Sequence, residues 1–241
     1  HFPMAPGEVV DTPKLSRDVA WFNRTSDVQV RALLQPGADF GLTDVKLSVI
    51  EPARDTLQLF TDNQGVKATG PYEVGFFYKR HSLFGFDDRL TLYGVKADGN
   101  LSYNIGYNVP LFLTDGRLGV SYNTGKIRIV EGPLVPLNDR GGSNLTTINL
   151  VQPVFVNDAW TLLANAGISY GVSDSNIAGQ PLTDFITTKP GGGFTATVQS
   201  ESYSFSVSPN VAEAYSQDRV LDTFRKFTLY AGTKIGSASW G

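Results

Sequence analysis

The chain has 241 residues, of which 41% are hydrophobic and 18% charged, a balance that excludes a disordered protein and leaves enough chain for a sizeable core. Its 20 basic and 23 acidic side chains give a formal net charge of −3, so no overall basic field is present and we expect no nucleic-acid partner. The absence of cysteine excludes disulfides, thiolate zinc sites and cysteine nucleophiles. Taken with the composition, this leaves two classes, a globular protein or a membrane barrel.

The first fifty residues contain the one clear helical period. Asp11 is an N-cap candidate, Pro13 suits the first turn, and apolar residues on one face predict a short amphipathic helix at about Pro13–Phe22. Two alternating segments follow, Val28–Leu34 and Leu42–Ile50, and predict two strands. A helix and two strands are too little chain for a stable domain, so this part is predicted to be the C-terminal portion of one. No basic segment followed by an apolar one opens the chain, so we expect a start left by cleavage or trimming.

From Asp55 onward the sequence is almost entirely strand and turn. Within Leu101–Leu111 every odd position is apolar or aromatic, whereas the even positions from 102 to 108 are Ser, Asn or Gly. One face is therefore apolar and the other small and polar. Similar alternation predicts about nine strands, at 55–61, 72–80, 89–96, 100–113, 117–130, 145–156, 161–171, 193–207 and 224–235.

The connections between these segments differ in length. Ala97–Gly99 and Thr114–Gly116 carry Asp-Gly and predict tight turns, as does Asn157–Asp158. Glu131–Asn144 and Val172–Gly192 are predicted to be long polar loops. Short turns on one rim and long loops on the other are typical of outer-membrane barrels.

A soluble antiparallel sandwich also alternates apolar and polar residues, but two features favour a membrane barrel. The segments run to about ten residues or more, the length that a tilted strand needs to cross a bilayer, whereas soluble strands usually have about five or six. Their polar faces carry mainly Asn, Ser, Thr and Gly, and aromatic residues lie near segment ends, as in interfacial girdles.

No motif supports catalysis. Asp87 and Asp88 stand beside Arg89 and are predicted to form a solvated, locally paired turn. His81 lies in a basic stretch, has no second ligand at metal spacing, and is predicted to face solvent. The sequence contains no credible pair of nucleophile and base, so we expect no enzyme activity, catalytic residue, metal site or cofactor.

Several different short motifs follow one another along the chain. The residues that carry them are Asp62, Asn63 and Gly65, then Thr69 and Gly70, then Gly85 with Asp88, then Pro110 in Tyr-Asn-Val-Pro-Leu, and Pro153 in Leu-Val-Gln-Pro-Val. This order resembles the two-partner-secretion outer-membrane transporters, the haemolysin-activator and haemagglutinin-transporter family of the barrel-assembly superfamily. Upstream, residues 15–23, 34–37 and 41–45 resemble the end of the second POTRA domain of that family.

The sequence also departs from the family pattern. Phe86 and Asp87 replace the usual residues of one turn, and the Arg-Gly-aromatic motif of the family's lumen loop is missing. The predicted strands suffice for about the first half of the family's barrel. The barrel would therefore be completed by further chain or by other subunits, because unpaired strand edges are not tolerated in a bilayer.

The resemblance implies an all-β transmembrane β-barrel, antiparallel and partial, with an N-terminal α+β POTRA-like segment. Residues 1–51 would be the C-terminal part of a POTRA domain, and residues 52–241 the first half of the barrel. It implies a translocase of the bacterial outer membrane, with its N-terminal segment in the periplasm, which exports a large secreted partner by two-partner secretion without ATP.

The implied partners are the unfolded secreted polypeptide and outer-membrane lipid or lipopolysaccharide. The polypeptide would add as a strand to an edge of the POTRA-like sheet. The residues proposed for that edge are Val28, Val30, Ala32, Leu34, Val45, Leu47 and Val49. Two alternatives remain open: a passive porin or small barrel that closes on itself from Asp55 onward, and a soluble β-rich adhesin or binding module.

Overall fold

The computed structural model describes residues 7–200, 202–219 and 233–239. Its N-terminal part begins with one helix. Helix α1 spans Thr12–Thr25 and is capped by Asp11, whose side chain accepts a backbone N–H of the first turn at 3.0 Å. The predicted helix at Pro13–Phe22 is thus confirmed. It extends further toward the C-terminus, where the Thr25 hydroxyl donates to the Trp21 carbonyl at 2.9 Å.

A two-stranded antiparallel sheet follows the helix. Strands β1 (Gln29–Pro36) and β2 (Thr43–Ile50) pair along their whole length. The turn between them is closed by the Gly37 N–H, which donates to the Leu42 carbonyl at 2.9 Å. Both predicted strands are confirmed.

The remaining strands of the described residues belong to one sheet of eleven. Their bounds are β3 Asp55–Asp62, β4 Glu73–His81, β5 Arg89–Lys96, β6 Asn100–Leu111, β7 Gly116–Arg128, β8 Arg140–Val156, β9 Trp160–Ile177, β10 Gln180–Gln199, β11 Ser204–Val207, β12 Asn210–Asp218 and β13 Thr233–Ser239. From β3 to β10 each strand pairs with the next one along the chain, and β10 then pairs with both β11 and β12. Within the described residues β3 and β13 are the two ends of the sheet and do not pair, so this part of the chain does not form the small closed barrel considered above.

The predicted strand at Gly193–Val207 is wrong, because the chain reverses direction inside it. The turn lies between β10 and β11 and contains no Gly or Pro to mark it; it is closed by the Ser200 N–H, which donates to the Tyr203 carbonyl at 2.8 Å. Strands β11 and β12 lie in one register on β10 and form a single strand interrupted at Pro209, which has no N–H to donate. Residues 224–232 of the last predicted strand lie outside the described residues.

The long loop predicted at Val172–Gly192 is also wrong. It is the upper part of a long hairpin of β9 and β10, whose turn contains Ala178 and Gly179 with φ of 53° and 79°. Neither face of this upper part carries a continuous apolar row, so its sequence resembles a loop, yet polar side chains bond across the strands there, as Ser175 does with Thr183 at 2.8 Å. The predicted loop at Glu131–Asn144 is shorter than expected, since β8 begins at Arg140.

The large sheet exposes its apolar face. On β6 the side chains of Leu101, Tyr103 and Ile105 are 41%, 45% and 47% exposed. The polar residues between them, Ser102 and Asn104, are less exposed and count as half-buried. This pattern is the reverse of a water-soluble sheet, which hides its apolar face against a core.

The loops form two rims at opposite ends of the strands. The helix rim, at 82–88, 112–115 and 157–159, faces α1; the far rim consists of 63–72, 97–99, 129–139 and 178–179. The predicted segregation of short turns to one rim is wrong, because Ala97–Gly99 lies at the far rim beside the longer loop 129–139, where Arg128 N–H donates to the Gly99 carbonyl at 2.7 Å. Among the described residues, no helix has the length and apolar character needed to cross a membrane.

Candidate functional site

The N-terminal hairpin has one apolar face, made of residues that the sequence assigns to a partner-binding edge. The register places Val30 opposite Val49, Ala32 opposite Leu47 and Leu34 opposite Val45. Val30 is buried, whereas Leu47 and Val49 are 41% and 57% exposed, and Val28 lies half-buried just before β1. Most of this face is therefore available for contact.

The two backbone edges of the hairpin differ. The Asn23 side chain accepts the Val30 N–H at 2.7 Å and donates to the Val30 carbonyl at 2.9 Å, so both groups point away from β2. Val30 and Val49 are consequently a non-hydrogen-bonded pair, and the alternation of the ladder directs the N–H and C=O groups of Val45, Leu47 and Val49 away from β1. In the described part of the chain Asn23 caps the β1 edge, and nothing pairs with the β2 edge.

Helix α1 holds this hairpin against the helix rim of the large sheet. The Trp21 indole Nε1 donates to Asp115 Oδ2 at 2.9 Å. Arg24 donates from Nη1 to Thr161 Oγ1 and from Nη2 to the Asp158 carbonyl, both at 2.9 Å. These contacts join the helix to the rim loops that follow β6 and β8.

A cluster of ionisable side chains, here called the Asp27 clamp, fixes the segment between α1 and β1. Asp27 lies 3.4 Å from His81 Nδ1, 3.3 Å from Arg89 Nη1 and 3.7 Å from Arg117 Nη2. Arg117 Nη1 in turn lies 3.0 Å from Asp87 Oδ2. Because the side chains of Asp27 and Arg117 are only 24% and 15% exposed, their attraction is screened less than that of a surface ion pair.

The rim loop that carries Asp87 is folded around Asp88. The Asp88 carboxylate is completely buried and accepts the backbone N–H groups of Phe84 at 3.1 Å and Phe86 at 3.4 Å, and the Tyr107 hydroxyl at 3.0 Å. Burial by itself raises the pKa of Asp88, but the hydrogen bonds from Phe84, Tyr107 and Phe86 outweigh it and hold the pKa below its usual range. Asp88 is therefore ionised at neutral pH and organises the loop.

Two of the sequence-based expectations about these side chains are wrong. His81 does not face solvent, since it is 7% exposed and stands at the end of β4 opposite Arg89. The pair Asp87-Asp88 is not a solvated turn, because Asp88 is buried and Asp87 bonds to the clamp. Sequence reasoning missed the clamp because Asp27 and its partners are far apart in the chain, and no local pattern reports such a contact.

A cleft of about 710 Å³ lies between the end of α1 and the helix rim. Its walls include the apolar side chains of Phe22, Pro52, Phe86, Leu111 and Phe112, and the clamp adds polar groups. The cleft can therefore accept apolar side chains of a bound segment beside charged ones.

The remaining motif residues do not gather into one site. Asp62, Asn63, Gly65, Thr69 and Gly70 lie at the far rim, where Asp62 Oδ1 accepts the N–H of residue 64 at 2.9 Å and the Thr69 carbonyl accepts an N–H from the 97–99 turn at 2.6 Å. Gly70 has a φ of 104°, which favours glycine.

The other motif residues lie toward the helix rim. Gly85 is part of the loop around Asp88 and has a φ of 90°. Pro110 pairs with Arg117 of β7 but lies beyond the last residue of β6 that pairs with β5, and Pro153 stands at a register shift between β8 and β9. Among the described residues no three or more His, Asp and Glu side chains are grouped so that they could hold a metal ion.

Solved structures with the same fold are CdiB from Escherichia coli, with a TM-score of 0.64 and 16% identity over 90% of this chain, and CdiB from Acinetobacter baumannii, with a TM-score of 0.63 and 18% identity over 99%. The matches cover 41% and 44% of those two chains, so this chain spans less than half their length. No protein-family model and no curated protein sequence matches it. The fold implied by the motifs, part of an antiparallel β-barrel, is therefore confirmed.

Proposed function

We propose that this chain is part of a translocase of the bacterial outer membrane that exports a large secreted protein by two-partner secretion, without ATP. Residues 1–51 would be the C-terminal part of a periplasmic POTRA domain, and residues 52–241 the first half of the barrel. The observation that carries the proposal is the open β2 edge of the N-terminal hairpin, held beside the rim of a sheet whose apolar face is exposed.

The two faces of the sheet suit a barrel wall. The apolar face, with residues such as Leu101, Tyr103 and Ile105, would contact lipid. The opposite face carries small polar side chains, including Ser102, Asn104 and Asn123, which would line a lumen through which an extended chain slides without tight binding. A soluble binding module would have to cover the apolar face, and nothing in the described residues does so.

The secreted partner would bind in extended form along β2. Its backbone would bond to the outward N–H and C=O groups of Val45, Leu47 and Val49, which requires little of its sequence. The exposed side chains of Leu47 and Val49 would add contact area. The Asp27 clamp would keep the hairpin at the rim, so that the captured segment is delivered close to the lumen.

The test replaces Leu47 by proline in the bacterium that makes the chain. Proline removes an N–H that points away from β1, so the hairpin keeps its internal bonds, whereas an added strand loses one. Leu47→Ala is the matched control, because it removes the side chain but keeps the N–H.

We expect Leu47→Pro to abolish the appearance of the partner in the medium, while the chain still fractionates with the outer membrane. Leu47→Ala should retain most secretion. Normal secretion from Leu47→Pro would contradict strand addition at this edge, and recovery of the wild-type chain in the soluble fraction would contradict the barrel.

A further inference from the structure

Cationic side chains line a groove of about 550 Å³ at the far rim. The groove contains Lys96 of β5, Lys126 and Arg128 of β7, and Arg140 of β8, all of them exposed. Its lining includes only two carboxylates, those of Asp98 and Asp174. Within the described ranges none of the four cations forms a salt bridge, so the groove has an excess of positive charge.

The strand registers place these cations on the apolar face of the sheet. Lys96 and Lys126 both stand opposite Leu101, and Arg128 stands opposite Arg140. Residues that are directly opposite share a face, so the cations are on the same side as Tyr103 and the apolar residues below it. Cations on the lumen side would instead occupy the alternate positions of these strands, in line with Ser102 and Asn104.

Their height along the strands coincides with the edge of the apolar band. From Leu101 to Leu111, strand β6 covers about 34 Å, which at a tilt of about 40° corresponds to about 26 Å along the membrane normal. The apolar band of outer-membrane barrels is about 25 Å tall. The row of Lys96 and Lys126 therefore stands at the upper boundary of the band, and the row of Arg128 and Arg140 about 5 Å above it.

A glycine keeps the floor of the groove open. Gly142 stands between Lys126 of β7 and Asp174 of β9 in the same row. A Cβ at this position would come within 2.8 Å of Asp174 Oδ1. Any larger residue would push into the space between the cations.

We propose that this groove binds phosphate groups on the headgroup of a lipid in the surrounding membrane. The inference rests on the proposed function only in taking the apolar face as the lipid-facing one. Phosphate groups lie where the apolar band ends, and clustered Lys and Arg at that height attract them. Arg128 and Arg140 can each donate two parallel N–H bonds to one phosphate, while the two lysines act as point charges.

The experiment uses the protein as it is extracted from the outer membrane into neutral detergent micelles, titrated with diphosphoryl lipid A, with the same lipid lacking its phosphates, and with inorganic phosphate. Binding is measured by native mass spectrometry and by the shift in melting temperature. The test variant is Lys126→Gln with Arg140→Gln. The matched control, Arg31→Gln with Lys46→Gln, removes two exposed cations from the N-terminal hairpin.

We expect the phosphorylated lipid to bind wild type and the control equally, and the test variant about 30-fold more weakly, since each cation near a headgroup contributes about fivefold. Equal affinity of wild type and the test variant would overturn the proposal. If the control variant also binds the lipid about 30-fold more weakly, the attraction is a general effect of charge and the proposal is wrong. If inorganic phosphate binds as tightly as the lipid, the groove is a site for free anions and not for a lipid. Lipid affinity does not depend on partner secretion, so failure here leaves the Leu47 test unaffected.

Discussion

Replacing Asp88 by alanine removes the acceptor around which the 82–88 loop is folded. Three donors lose their bonds: the N–H groups of Phe84 and Phe86 and the Tyr107 hydroxyl. A hydrogen bond to a charged acceptor contributes about 1.5–3 kcal/mol. The two backbone groups belong to residues with exposed side chains and can be rehydrated, so the lower end applies to them, and together with the Tyr107 bond we expect a loss of about 4.5–6 kcal/mol of unfolding free energy.

The measurement is urea unfolding, followed by circular dichroism, of the protein extracted from the outer membrane into detergent micelles. Asp39→Ala is the matched control, because it removes a carboxylate from an exposed loop of the N-terminal hairpin and should change stability by less than about 0.5 kcal/mol. A loss below about 1 kcal/mol for Asp88→Ala would refute the assignment of Asp88 as the organiser of the loop.

The stability difference between wild type and Asp88→Ala should depend on pH, because the Asp88 carboxyl titrates. Its pKa is lowered in the folded state, so its stabilisation is fully present above the unfolded pKa of about 4 and is lost as the pH falls further, through the folded pKa. The stability difference between wild type and Asp88→Ala should therefore be constant near neutral pH and shrink below about pH 4. A difference that grows in acid would contradict the lowered pKa.

Three further substitutions test the anchor and the sheet. Asp27→Ala removes the carboxylate that Arg89 and Arg117 share, although Arg117 keeps its contact with Asp87, and should loosen the N-terminal segment, seen as faster limited proteolysis between the hairpin and β3, whereas unchanged proteolysis would contradict the clamp. Gly75→Val should destabilise the sheet by about 1–3 kcal/mol in urea unfolding, because a Cβ there would collide with the Phe60 ring and the Gly94 carbonyl, and a neutral effect would show that these neighbours can move. Asn144→Ala should lose about 2 kcal/mol of unfolding free energy, since its side chain accepts two hydroxyls from β7, and an unchanged urea midpoint would argue against those bonds.

The sequence by itself determined most of the elements and the type of sheet. Asp11 and the apolar period after it specify helix α1, and the strict alternation in Leu101–Leu111 specifies a strand with two different faces. These features are local: capping and side-chain alternation depend on residues that are near neighbours in the chain. For the same reason the order of short turn motifs was enough to indicate the family of folds.

Only the tertiary structure decided where the strands turn and which charged groups meet. The upper part of the β9–β10 hairpin was not predicted because it has no continuous apolar row, and polar side chains such as Ser175 and Thr183 bond across its strands instead. Asp27 meets His81, Arg89 and Arg117 because the helix rim brings the ends of β4, β5 and β7 under helix α1. The free β2 edge likewise follows from the register with β1 and from the Asn23 cap. Such contacts join residues that are distant in sequence, and their energies depend on geometry that no local pattern encodes.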